Sequence, residues 1–120
     1  MRNGVDIVKI SRLEKQVQNE KFLNKYFSNY EKEYIDSKRI NAVNTMAGLY
    51  ACKEAVLKAL GTGIGELSLK DCCVVHDGFG SPFVELNDKI IAVLFKNNCK
   101  EIKVSISHDG DYAIAFCTIV

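Results

Sequence analysis

An α+β fold, an antiparallel sheet with helices packed on one side, is what this sequence predicts, and three observations carry it. Near the end, Ile102, Val104 and Ile106 alternate with Lys103, Ser105 and Ser107, the period of a half-buried strand. The turn pair Asp109-Gly110 follows, and residues 112–119 return as a strongly apolar strand. In the middle, a long helix is expected from about residue 41 or 44 to Leu60, with Gly61 where a left-handed C-terminal cap belongs.

The remaining elements follow in chain order. Residues 5–10 read as a strand from their β-branched content. Ser11 with Glu14 has capping-box spacing and predicts a helix from Arg12; Ser28 with Glu31 predicts another, fading near residue 37 or 38. Residues 72–76 and 83–86 read as short strands around the turn 77–82, and Asn87 or Asp88 is placed to cap a helix to residue 95 or 96. With 120 residues and no repeat, linker or low-complexity tract, the chain is expected to form one domain over 1–120.

Composition removes several classes of function. A net charge of +1 gives no global reason to bind nucleic acid. The apolar run at 90–95 is far short of the ~20 residues that span a bilayer, and the N-terminus has no apolar signal region, so no membrane role is expected. Five cysteines, Cys52, Cys72, Cys73, Cys99 and Cys117, show no C-x-x-C spacing. They read as small thiols in a reducing compartment, which makes the expected location cytoplasmic.

Three places can carry chemistry. Asp6 interrupts an apolar strand on the face shared by Val8 and Ile10, where a carboxylate is costly unless paired, hydrogen-bonded or metal-bound. A strand-end aspartate accepting backbone N–H groups is the bland alternative. Lys53-Glu54 and Lys58 lie on the long helix; Glu54 and Lys58, at i and i+4, share a face and read equally as a surface ion pair. Ala47, Ala51 and Ala55 keep that region small enough for a ligand or another backbone to approach. Gly61, Thr62 and Gly63 follow the helix, where the negative end of its dipole repels phosphate, so an anion there needs Lys58 and the free glycine N–H groups. His108 ends a strand and can reach a phosphate or a carboxylate; Ser107 points to the opposite face and cannot pair with it as a nucleophile. Two acids, two lysines and a histidine are compatible with divalent-metal phosphoryl chemistry, and the residue types alone go no further.

Three segments together resemble the 4′-phosphopantetheinyl transferases, in their short holo-acyl-carrier-protein synthase branch. They are Gly4-Val5-Asp6-Ile7, the segment from Tyr50-Ala51-Cys52-Lys53-Glu54-Ala55 through Lys58 to Gly61-Thr62-Gly63-Ile64, and Val104-Ser105-Ile106-Ser107-His108. The resemblance implies that family's fold and transfer of 4′-phosphopantetheine from coenzyme A to a serine of an acidic acyl carrier protein. It further implies that Asp6 and Glu54 hold Mg²⁺, that Glu54 helps remove the serine proton and that Lys58 serves the leaving phosphate. His108 would hold the coenzyme A 3′-phosphate, with Lys53, Gly61, Thr62 and Gly63 as further substrate contacts and Arg12 meeting the carrier. A chain this short is one half of the longer relatives, which implies a homotrimer with active sites between subunits. The family often has arginine where Leu49 stands, and longer members have a second acid where Val8 stands. Two readings from other classes are a metal-dependent nucleotide phosphohydrolase, which would release product without a carrier, and a non-catalytic coenzyme A-binding module.

Overall fold

The computed structural model describes residues 1–61 and 67–120. Three long strands, β1 (Arg2–Lys9), β4 (Ile102–Asp109) and β5 (Tyr112–Ile119), form an antiparallel sheet in the order β1-β5-β4. The central strand pairs along its whole length on both sides, with Asp6 opposite Ala115 and Ile106 opposite the same residue. A separate hairpin pairs β2 (Val74–His76) with β3 (Pro82–Val84). Among the described residues, four α-helices pack with these sheets: α1 (Glu20–Tyr26), α2 (Asn29–Ser37), α3 (Ala42–Leu60) and α4 (Asp88–Lys96). No helix among the described residues is long and apolar enough to cross a membrane.

Alternation decides which side of the sheet is core. On β5, Ala113, Ala115, Cys117 and Ile119 are at most 1% exposed, whereas Ile114 and Phe116 remain 42% and 48% exposed. The buried face receives α3, whose Ala47, Ala51 and Ala55 recur every fourth residue and are fully buried. Their small side chains seat the sheet's own backbone rather than a ligand. The approach is closest at Gly4, where an added Cβ would lie 2.1 Å from the Ala55 carbonyl oxygen. That contact explains why glycine opens the motif around Asp6: any side chain would force β1 off the helix.

The long helix stops as its sequence predicts. Gly61 adopts φ 64°, the left-handed cap. Arg2 then reaches across from β1, donating at 2.9 Å to the Leu60 carbonyl and at 2.9 Å to Asn97 Oδ1. A cation at a helix C-terminus is favourable both as a hydrogen-bond donor and against the dipole. Ser28 and Glu31 form the expected capping box at α2, and Asn87 caps α4 by accepting from the Ile90 N–H.

The segment after β1 departs from the sequence expectation. Ser11 and Glu14 do not open a helix at Arg12; residues Ile10–Leu13 form one 3-10 turn, Gln16–Gln18 another, and α1 begins only at Glu20, capped by Asn19. Ser11 is drawn elsewhere, its hydroxyl donating to Asp111 Oδ2 at 2.7 Å. Burial of Ile10 and Leu13 holds the turn against the core, a tertiary constraint that overrides the local capping pattern. The hairpin strands are also shifted: Pro82 begins β3, and residues 85 and 86 lie beyond it.

Candidate active site

Asp6 sits on the helix-facing side of β1, its side chain 17% exposed, directly over the C-terminal half of α3. Lys58 Nζ donates to Asp6 Oδ1 at 2.9 Å and to the Val5 carbonyl at 3.1 Å. The lysine therefore pins its helix to both the backbone and the carboxylate of the opening strand. With its side chain 53% exposed, it keeps contact with solvent and with any ligand above the pair.

Glu54 lies one turn before Lys58 on the same stripe of α3. Burial pushes its carboxyl above the ordinary range, and repulsion from Asp6 adds to the rise, opposed by Lys58. The two acids thus sense each other, although far apart in the chain. Tyr50, a further turn back, completes the stripe: burial, then Glu54, Tyr26 and Asp6, raise its phenol. Its ring packs on Phe22 at 6.2 Å and edge-on to Tyr26 at 5.8 Å, making an aromatic wall between α1 and the acids. Sequence reasoning left Tyr50 outside the site; its i−4 spacing from Glu54 was the available signal.

Mutual repulsion between two partly buried carboxylates is relieved by a cation, and Lys58 supplies only one charge. Carboxylate oxygens are hard donors suited to Mg²⁺, which takes one or two of them and completes its shell with other oxygens. The donor set therefore fits that ion. Among the described residues, no group of three or more His, Cys, Asp or Glu side chains could hold a metal ion.

Lys53 is not where the sequence reading put it. Its side chain is fully buried, ion-paired with the fully buried Glu31, and lies 5.1 Å from the Phe27 ring centroid. One position along a helix rotates a side chain by about 100°, so while Glu54 is on the Asp6 side, Lys53 turns into the core, away from the surface a ligand would reach. Glu31 meanwhile accepts from the Ser28 N–H at 2.8 Å and the Val74 N–H at 2.9 Å, tying α2, α3 and β2 together.

His108 stands apart from the acids. It is exposed at the end of β4, and its Nε2–H donates to the Asn44 carbonyl at 2.9 Å. Gly48 leaves room for the ring, since an added Cβ would lie 2.9 Å from Nε2. Asn44 and Glu54 are about 15 Å apart along α3 at 1.5 Å per residue, so within one chain the histidine does not join Asp6 and Glu54. It borders a cavity of about 200 Å³ with His76, Tyr34, Pro82 and Leu49. Leu49, 2% exposed, offers this cavity only an aliphatic side chain.

Arg12 is exposed on the 3-10 turn after β1. Gly61 is the helix cap already described, and Thr62 and Gly63 lie outside the described residues. All five cysteines are free thiols; burial pushes Cys52, Cys72 and Cys117 up to about 12, which leaves them inert as nucleophiles.

Comparison with known proteins places this geometry. The 4′-phosphopantetheinyl transferase superfamily model matches residues 2–117. A holo-[acyl-carrier-protein] synthase of Fusobacterium nucleatum is 41% identical over 118 residues, covering 98% of this chain and 96% of that protein. One from Clostridium botulinum is 43% identical over 117 residues, covering 97% and 94%. The crystal structure of Helicobacter pylori holo-[acyl-carrier-protein] synthase in complex with coenzyme A superposes with a TM-score of 0.83 at 35% identity, over 98% of this chain and 99% of that one. With its three motifs on the expected strand, helix and strand, the chain belongs to the 4′-phosphopantetheinyl transferase superfamily, in the holo-[acyl-carrier-protein] synthase branch.

Proposed function

We propose that this protein transfers 4′-phosphopantetheine from coenzyme A to a serine of an acyl carrier protein, with Mg²⁺, yielding the holo-carrier and adenosine 3′,5′-bisphosphate. The observation that carries this reading is the meeting of Asp6, Glu54 and Lys58 across β1 and α3, in a member of this family.

Asp6 and Glu54 would hold the metal ion, which supplies neutralisation of the pyrophosphate's charge when bound. Glu54, directly or through a water, takes the proton of the serine hydroxyl, and burial that raises its pKa makes it a better proton acceptor. The serine oxygen forms its bond to the phosphorus that carries pantetheine, and the bond from that phosphorus to the bridging oxygen breaks. Lys58, already held beside Asp6, stabilises the negative charge left on the departing phosphate. Orientation and charge placement thus supply most of what the chain contributes.

His108 is assigned to the 3′-phosphate of coenzyme A. With Nε2–H committed to the Asn44 carbonyl, Nδ1 is the atom left for the ligand, and it donates when the ring is protonated. Gly61, Thr62 and Gly63 are kept as substrate contacts, while the cavity next to Leu49 must bind phosphate without an arginine from that position.

The separation of His108 from the acids within one chain supports a homotrimer in which each active site draws His108 from a neighbour. So does the outer face of the three-stranded sheet, where Val5 faces Phe116 and Ile7 faces Ile114, all between 42% and 61% exposed. A contiguous apolar face of this kind is what a second copy would cover. Arg12 is assigned to the acidic carrier protein, where charge attraction speeds and orients encounter. The free thiols accord with a cytoplasmic location.

Mass spectrometry of an apo-carrier protein incubated with this protein, coenzyme A and Mg²⁺ tests the reaction. A phosphopantetheine mass gain on serine is expected. Nucleotide release with no change in the carrier would favour a phosphohydrolase, and coenzyme A binding without turnover a non-catalytic module.

A further inference from the structure

The turn that carries Arg12 is capped by a residue from the far end of the chain. Ile10 N–H donates to the Asp111 carbonyl at 2.8 Å, and Ser11 N–H donates to Asp111 Oδ1 at 3.0 Å. The Ser11 hydroxyl donates to Asp111 Oδ2 at 2.7 Å, so both carboxylate oxygens are used. The first N–H groups of any helical turn lack partners within it and must find them elsewhere. Lys9, at the N-terminal end of this one, makes no side-chain capping bond, and Asp111 satisfies the donors instead.

Position gives this clamp a consequence. Ile10 and Leu13 are 5% and 8% exposed and anchor the turn on the core, leaving Ser11 and Arg12 outside. Gly110, at φ 57°, tightens the β4–β5 turn immediately ahead of Asp111. The direction in which Arg12 is presented is therefore set from that turn together with the buried Ile10 and Leu13.

We infer that Asp111 is a positioning residue for carrier-protein recognition: clamped to Ser11, its carboxylate fixes the turn that offers Arg12 to an acidic partner. This rests on the carrier-docking reading of Arg12 above. By charge alone, a carboxylate this close to Arg12 would weaken attraction for an acidic protein. A geometric role and a purely electrostatic one thus predict opposite effects of removing it.

Steady-state transfer kinetics of the full protein, with apo-carrier and coenzyme A varied separately, distinguish them. Arg12→Glu is expected to raise the carrier KM by about tenfold or more. Asp111→Ala is expected to raise it about fivefold, the scale of a lost cap, with kcat and the coenzyme A KM unchanged. Ser11→Ala, which keeps the backbone bond, should give a smaller rise in the same direction. Asp111→Asn retains an oxygen to accept the Ser11 N–H and should stay within about twofold of the parent protein. If Arg12→Glu raises the carrier KM while Asp111→Ala leaves or lowers it, the clamp is overturned and the docking reading stands. If Asp111→Asn raises the carrier KM as much as Asp111→Ala does, the retained acceptor for the Ser11 N–H contributes nothing, which also overturns the clamp. An unchanged carrier KM for Arg12→Glu overturns the docking reading and the inference with it.

Discussion

Lys58 Nζ lies 2.9 Å from Asp6 Oδ1, joining the last turns of the central helix to the opening strand. The pair is the scaffold on which Glu54 is displayed, one turn back along the same stripe. Exposure of the lysine limits what the bond adds to stability. It holds Asp6 and Lys58 together one helical turn from Glu54.

Glu54→Gln is expected to leave a folded oligomer and to lower the transfer rate by at least ~10²-fold, as for a lost base or metal ligand. Near-normal turnover at controlled Mg²⁺ would remove Glu54 from the chemistry.

The same residue predicts a stability effect of opposite sign. Burial and Asp6 raise the Glu54 carboxyl in the folded state, so the folded protein holds that proton more tightly than the unfolded chain. Its contribution to stability is present at acidic pH and is lost as pH rises through the raised folded value. At neutral pH without metal, Glu54→Gln should raise Tm slightly, and this gain should shrink on acidification. Scanning calorimetry of both proteins in chelator at two pH values measures it.

Lys53→Met should act through the fold rather than through substrate. Removing one partner of a buried pair costs about 3–5 kcal/mol, because Glu31 would remain in the core without its counter-charge. Urea unfolding should show the loss, while the fraction that stays folded binds coenzyme A with unchanged affinity. A weakened coenzyme A affinity at unchanged stability would restore Lys53 to the substrate site.

Phe116→Lys tests the outer face of the sheet. A charge in the centre of a covered apolar patch opposes association, whereas on an open surface it costs little. Light scattering should report a shift from trimer to monomer, with activity falling by about tenfold or more as the shared sites come apart. Monomers before and after the substitution would contradict the assembly.

Much of the fold was legible because local signals agreed with tertiary demands. The Ile102, Val104, Ile106 alternation, the Ser28–Glu31 box and the Gly61 cap each stand where periodicity and capping chemistry put them. The apolar strand Tyr112–Ile119 serves two purposes at once, alanines and Cys117 inward, Ile114 and Phe116 outward, which alternation alone could have indicated. Ser11 misled because its spacing to Glu14 is a local pattern, while its real partner, Asp111, is brought near only by β1–β5 pairing. Lys53 misled for a similar reason. Its neighbours Glu54 and Lys58 are at the site, but helical rotation turns it inward toward a glutamate that sequence spacing does not reveal. The pairing of Asp6 with Glu54 on one metal ion is proposed from the resemblance; composition and periodicity stop at two separate acids.

The central claim is that these two acids share one cation. Crystals grown with coenzyme A and Mn²⁺ in place of Mg²⁺ would report it directly through an anomalous difference map. One peak within about 2.2 Å of a carboxylate oxygen from both Asp6 and Glu54 is the predicted result. A well-occupied Mn²⁺ on the pyrophosphate that touches neither carboxylate would contradict the account.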